Sequence, residues 1–257
     1  MILTVPSLFE NKKISVEEFT LEDFRNISFL VEENMDNMLY EFLISKIKTP
    51  CNSVDKFNVL LEARKKFVSD TLNLYSEEGN ISVNMNVFIE SLKNQILEKQ
   101  ISKNNNIEDF QITVDYPDNF IHENVDELII DHIKKISYKG NNIELYGESK
   151  SNKLKILEKL PSKLITYVSS YISENLENDI ILMNATKRLD KISINFINGS
   201  AFDFIKSIFY YYKYEEILEL IFSISRRIPD IGYINSRNPR DLNTLIRLYS
   251  DEVEKSS

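Results

Sequence analysis

FQITVDYPDNFIHENVDELIIDHIKKISYKGNNIELY, residues 110–146, carries the patterns that decide the fold class. Phe110, Ile112 and Val114 alternate with polar residues, as in a half-buried strand, and Asp115-Tyr116-Pro117-Asp118 closes it. Asn124 stands where a helix N-cap belongs, ahead of Val125, Leu128, Ile129, Ile133 and Ile136 at helical spacing. ISYK and IELY then face each other across Gly140-Asn141-Asn142, a hairpin signal. Strand, helix and hairpin in succession predict an α+β protein. The long helical stripes on either side make it predominantly α-helical, with small antiparallel sheets or hairpins.

Towards the N-terminus, ILTV before Pro6 and the piece around Ile14 to Phe19 read as short extended segments. Thr20 is an expected N-cap with Asp23 at N3, where a carboxylate suits the helix dipole, and Phe24, Ile27 and Val31 share one face. A second helical run carries Met38, Leu39, Phe42, Leu43 and Ile47. Ser53 is the expected cap of a third helix with the stripe Phe57, Leu60, Leu61, Phe67, Val68, Thr71, Leu72 and Tyr75, stopped by Gly79. ISVNMN at 81–86 alternates like a strand, and Asn86 is the expected cap for Phe88, Ile89, Leu92 and Ile96. The polar, Asn-rich KQISKNNNIE from Lys99 to Glu108 breaks the periodicity on both sides and reads as a linker. It predicts a mostly helical domain over 1–104 and an α+β domain, ending in a helical bundle, over 105–257.

Towards the C-terminus, Pro161 opens a helix with the face Leu164, Ile165, Val168, Tyr171 and Ile172. Ile192, Ile194 and Phe196 form a strand closed by Asn198-Gly199. Phe202, Ile205, Ile208, Phe209 and Tyr212 make one helical stripe, and Ile217, Leu218, Ile221 and Phe222 the next. Asn238-Pro239-Arg240-Asp241 places Asn at the cap, Pro at N1 and Asp at N3 of a last helix with Leu242, Leu245, Ile246, Tyr249 and Val253.

The 257 residues are 42% hydrophobic and 28% charged, enough to build a core rather than a disordered chain. The net charge of −9 argues against a nucleic-acid binder, whose affinity comes mostly from Lys and Arg on phosphate. Cys51 is the single cysteine, so no internal disulfide and no thiolate zinc cluster can form. Apolar runs are too short to span a membrane, and MILTVPSLFENKK lacks the pattern of a signal peptide, which makes a reducing cytoplasm the expectation. No repeat of solenoid length is visible.

Catalytic signatures are missing. The chain has no GxSxG, no Walker loop and no dinucleotide fingerprint. His122 and His132 lack metal-ligand spacing with Cys51 or a carboxylate pair and read as helix surface or satisfied partial burial. Cys51 reads as a small buried or loop residue rather than a nucleophile. The pairs Glu17-Glu18, Glu32-Glu33, Glu77-Glu78 and Glu215-Glu216 are adjacent, so on a helix they do not converge. No catalytic residue, cofactor or metal site is therefore expected.

Two features remain as partner-binding candidates. Phe209-Tyr210-Tyr211-Tyr212-Lys213-Tyr214, read as helix, runs round the whole circumference and cannot all face one core. Either Tyr210, Tyr211 and Tyr214 meet another protein, or the helix is packed on two sides. Arg226, Arg227, Arg237, Arg240 and Arg247 gather near the C-terminus, for an acidic partner or a phosphate, or as helix C-terminal and solubilising charges.

In order of motifs the chain resembles the baseplate hub subunit and hub assembly proteins of T4-like contractile-tailed phages. The resemblance runs through TVPSL, NKKI and VEEFTLEDFRNI, the long helix FNVLLEARKKFVSDTL, then ITVDYPD, EKLPSKLITYVSSYISE and ISINFINGSAFDFIKSIF. It closes with YKYEEILELIFSISRRIPDIGYINSRNPRDLNTLIRLYSDEVEK and so spans nearly the whole chain. Some relatives carry a Cys-x-x-Cys pair where this chain reads MNATKRLDKISINF, so any zinc-ribbon role is lost here and a plain hairpin is expected.

The resemblance implies a non-enzymatic tail protein, either a hub component or an assembly chaperone. Its partners would be other baseplate hub or tail proteins, with no nucleic acid and no membrane. Its place would be the host cytoplasm during assembly or the virion's tail baseplate. The rival readings are a phage-encoded nuclease or transferase without a recognisable motif, and a nucleic-acid-binding regulator working through the Arg group.

Overall fold

The computed structural model describes residues 1–255 except 77–78, 100–102, 146, 176–179, 184–190, 211 and 227. With 54% helix and 18% strand, the protein is α+β and mostly helical. β1 (Ile2–Pro6) and β2 (Lys13–Glu17) form an antiparallel hairpin, followed by α1 (Leu21–Glu32), α2 (Asp36–Ser45) and α3 (Ser53–Phe67). A second hairpin, β3 (Thr71–Ser76) with β4 (Gly79–Asn84), leads into α4 (Met85–Lys99). Then come β5 (Lys103–Ile107), β6 (Phe110–Val114), α5 (Val125–His132), β7 (Ile133–Tyr138) and β8 (Asn141–Glu144). These four strands make an antiparallel sheet in the order β5-β6-β7-β8.

The chain continues through α6 (Lys150–Leu157), α7 (Ser162–Asn175) and the hairpin of β9 (Ile180–Met183) with β10 (Lys191–Ile194). It ends in α8 (Ser200–Phe209), α9 (Tyr214–Ser225), α10 (Ile231–Asn235) and α11 (Pro239–Lys255). Among the described residues no helix is long and apolar enough to cross a membrane.

Helix starts follow local chemistry. Thr20 and Asp23 form a reciprocal capping box on α1: Asp23 N–H donates to Thr20 Oγ1 at 3.3 Å, and Thr20 N–H to Asp23 Oδ2 at 2.8 Å. Asn124 and Asn238 cap α5 and α11 as the sequence predicts. Thr20→Ala removes one side of the box and is expected to lower unfolding free energy by about 1 kcal/mol, read as a drop in thermal midpoint.

Helix ends depart from the sequence reading. α3 stops at Phe67, so Thr71, Leu72 and Tyr75 belong to β3, and Gly79 opens β4 instead of terminating a helix. Thr71 faces Asn84 and Leu72 faces Val83 across the hairpin, a pairing no local period reports. Two caps shift as well: Asn52, not Ser53, accepts the Asp55 N–H at 2.9 Å, and Asn84, not Asn86, accepts at the start of α4. α5 ends at His132, and Ile133 and Ile136 lie in β7. The hairpin that follows turns on Lys139 and Gly140, both at positive φ (48° and 85°), a type I′ turn.

Lys99–Glu108, read as a linker, contains β5. Its polarity belongs to an edge strand, where Lys103 and Asn104 to Asn106 face solvent while their backbones pair with β6. The buried side chains on both sides of residue 105 form one hydrophobic core. Phe57 of α3 packs edge-on against Phe120 and Phe196, with ring centroids 6.4 and 5.4 Å apart. Arg64, fully buried on α3, donates through Nε to the Ile208 carbonyl at 2.9 Å and so ties α3 to α8.

Candidate functional site

The aromatic run after residue 209 is a helix junction, not a helix. α8 ends at Phe209, Tyr210 is its C-cap and α9 starts at Tyr214. The Glu32 carboxylate of α1 gathers the junction: its Oε1 accepts from the Tyr210 hydroxyl and from the Tyr214 N–H, each at 2.9 Å. Burial and then this carboxylate push the Tyr210 phenol up to about 12. Ser28 Oγ donates to the Tyr212 carbonyl at 2.6 Å. Tyr210 is thus tied to α1 within the molecule, while Tyr211 and Arg227 lie outside the described residues.

The arginines are held separately. Arg226 caps α9 with its guanidinium 4.8 Å from the Phe222 ring centre, and Arg237 stacks 4.4 Å over Tyr233. Arg240 pairs with Asp70 at 2.6 Å, and Arg247 is exposed on α11.

α9 is two-faced. Ile217, Ile221 and Ile224 are buried, whereas Tyr214, Leu218 and Phe222, at i, i+4 and i+8, form an outward row in which Phe222 is 62% exposed. Phe29 of α1 extends this row, its ring 6.1 Å from that of Tyr214. Exposed Glu215, Glu216 and Glu219 flank it on α9, and α10 adds the exposed Ile231 and Tyr233.

A second feature was not legible in the sequence. Asp118, just past β6, Asp131 of α5 and Lys153 of α6 are buried together, and the half-buried Lys134 of β7 joins them. Lys153 Nζ lies 2.5 Å from Asp118 Oδ2 and 2.9 Å from Asp131 Oδ1, and Lys134 Nζ is 2.6 Å from Asp118 Oδ1. Asp131 Oδ2 also accepts from the Asn119 N–H at 2.7 Å and meets His122 Nε2 at 3.1 Å. Burial opposes the Asp131 charge, but the His122 bond and the Lys153 and Lys134 charges outweigh it and hold the carboxyl far below the usual range. Burial also works against the Lys153 ammonium, and Asp131 and Asp118 reverse the balance, so its pKa is raised.

Lys56 of α3 completes the cluster, donating to the Asp118 carbonyl at 2.7 Å and to Asn119 Oδ1 at 3.2 Å. Burial lowers its pKa. Tyr40 of α2 donates to the same Asn119 oxygen at 2.8 Å. Asn119 and Lys153 separate two clefts. One, of about 340 Å³, is bordered by Tyr40, His122, Glu127 and Lys150. The other, of about 270 Å³, is bordered by Thr49, Cys51, Lys56 and Gly147.

His122 is half-buried and bonded to Asp131, in keeping with satisfied partial burial, whereas His132 sits deeper than either sequence reading allows. His132 is fully buried, with Nδ1 2.7 Å from the Leu128 carbonyl; because a carbonyl only accepts, Nδ1 carries the proton. Among the described residues Nε2 has no hydrogen-bond partner, and burial pushes the ring down to about 3. Cys51 is buried and its thiol is pushed up to about 12 by burial, which leaves it protonated at neutral pH. Among the described residues no three His, Cys, Asp or Glu side chains converge for a metal ion.

No family model, curated protein or solved structure matches the chain. The geometry offers an apolar face on α9 and a lysine–carboxylate cluster between two clefts.

Proposed function

We propose that the chain is a non-enzymatic docking protein of a T4-like phage tail, a baseplate hub subunit or a hub assembly factor. The observation that carries the docking reading is the outward row of Phe29, Tyr214, Leu218 and Phe222. Three large apolar side chains at four-residue spacing on an otherwise acidic helix keep apolar surface in water at a cost that a partner removes. The Glu residues beside them set a charged rim around an apolar centre, the arrangement of protein–protein interfaces. The hub assignment rests on the resemblance of the sequence. The host cytoplasm during assembly and the virion baseplate, with other hub or tail proteins as partners, belong to the same proposal.

Of the residues singled out in the sequence, Tyr214 and Arg226 fall on this face. The test is capture of purified phage hub proteins by the chain and by Leu218→Glu/Phe222→Glu. Both substituted positions face solvent, so the fold is retained and circular dichroism stays unchanged. Capture is expected to weaken about 30-fold or more, the effect of losing about 2 kcal/mol at an interface centre. Arg226→Glu is expected to weaken it by a smaller factor. Equal capture by the double variant overturns the assignment of the face. Purified mature virions separate the two roles: a hub subunit is present in them and an assembly factor is not.

A further inference from the structure

We propose that Lys56 is an amine nucleophile that condenses with small carbonyl compounds, aldehydes or α-oxo acids, admitted by the cleft beside Cys51. The inference starts from what surrounds Lys56 and Lys153, buried among the described residues, and the half-buried Lys134 and Lys46. Lys153 and Lys134 both lie on carboxylates, as does Lys46, which is 2.6 Å from Asp23. Lys56 is buried as well, yet among the described residues no carboxylate oxygen lies within ion-pair distance of its Nζ. Both carboxylate oxygens of the neighbouring Asp118 are already engaged, one by Lys134 and one by Lys153. Among the described residues Lys56 reaches only neutral oxygens, the Asp118 carbonyl and Asn119 Oδ1.

That pair of acceptors matches the neutral amine. An ammonium carries three N–H groups and a neutral amine two. Two acceptors satisfy the neutral form completely and leave its lone pair on the remaining side. Lys56 borders the cleft of about 270 Å³, whose size suits a molecule of a few heavy atoms. Burial disfavours the proton most, and the nearby Lys153 ammonium adds to it, while the charges of Asp118 and Asp131, beyond ion-pair distance of Nζ, act the other way; the balance lowers the pKa. Desolvation beside a second cation is a recognised way of activating a lysine.

The chemistry balances without a co-reactant. The Lys56 lone pair attacks the carbonyl carbon and forms the C–N bond, and the π electrons move to oxygen. Both hydrogens of the amine pass to that oxygen, the C–O bond breaks, and water leaves a C=N imine. The Lys48 ammonium on the same cleft, although paired with Glu17 at 3.1 Å, lies near enough to its rim to favour a carbonyl compound bearing a carboxylate.

This reactivity is separate from the α9 face and stands or falls without it. The full chain is treated at neutral pH with glyoxylate and cyanoborohydride, which fixes an imine as a stable secondary amine, and labelling is read lysine by lysine by peptide mass mapping. Lys56 is expected to label about tenfold or more faster than the exposed Lys66 and Lys155, because each unit of lowered pKa raises the neutral fraction tenfold. Its rate also levels off at lower pH than theirs. Asn119→Asp puts a carboxylate on the amine, holds the proton there and is expected to slow Lys56 labelling about tenfold. Labelling of Lys56 no faster than Lys66 in the folded chain, or a pH profile equal to that of Lys66, overturns the proposal; the profile of the unmodified protein decides even where Asn119→Asp unfolds.

Discussion

Asp131→Ala is expected to lower the unfolding free energy by about 3–5 kcal/mol, the range for removing one partner of a buried ion pair. The Asp131 carboxylate receives Lys153, His122 and both the N–H and the side-chain amide of Asn119. Without it, the buried Lys153 shares Asp118 alone with the half-buried Lys134, and the Asn119 donors lose their acceptor. The loss is therefore dominated by stranded charge and unmet donors, not by the vanished attraction. A companion variant separates the two. Asp131→Leu with Lys153→Met removes opposite charges together and is expected to recover much of the loss. Urea titration of the three proteins reads both numbers, and equal losses for the single and the double variant contradict the account.

Acid is the second large effect. His132 stays neutral in the folded chain, its pKa pushed down to about 3 by burial; the bond to the Leu128 carbonyl and, less, Asp131 oppose the shift, and Lys134 and His122 add to it. Below pH 6.5 the unfolded chain takes up a proton on this ring that the folded chain refuses. Stability is then full above the unfolded pKa and falls as pH drops from 6.5 towards 3, by up to about 1.4 kcal/mol per pH unit from this residue. Asp131, with its pKa depressed, adds its own loss at lower pH, below the ordinary Asp value of 3.8. His132→Leu costs about 1 kcal/mol at neutral pH through the lost bond to Leu128, but its stability curve is expected to be flatter between pH 6 and 4. An unchanged slope in that window rules His132 out as its source.

What the sequence discloses and what it hides divides along range of interaction. Thr20, Asn124 and Asn238 were readable as caps because donor and acceptor lie three residues apart. The two N-terminal extended segments and the β7–β8 hairpin were also readable, although the turn falls on Lys139 and Gly140, and Asn141 and Asn142, read as part of the turn, already belong to β8. Helix ends were not. Thr71, Leu72 and Tyr75 satisfy a helical stripe, and so do Ile133 and Ile136, yet each set is claimed by a strand partner elsewhere in the chain. Tyr210 and Tyr214 read as one helix because nothing nearby shows that Glu32 holds their junction. The lysine–carboxylate cluster was invisible for a stronger reason. Lys153 stands 35 residues from Asp118 and 22 from Asp131, on a helix whose apolar stripe is too weak to announce which side turns inward.

Leu21 N–H donates to the Arg237 carbonyl at 2.7 Å, and Asn238 reaches back to Glu18. Together with the bond from Ser28 to Tyr212, these contacts place the start of α1 against segments made some two hundred residues later. On a ribosome, α1 can form early but cannot seat. Its Phe24 stacks on Phe209 and the neighbouring Phe19 packs tilted against the same ring, which is still unmade while they wait. Newly made chains therefore hold an unfinished apolar surface through most of synthesis, and closure comes as one late, long-range step. Chains stalled before residue 209 should expose this surface and bind holdase chaperones, and release of the complete chain should end that binding.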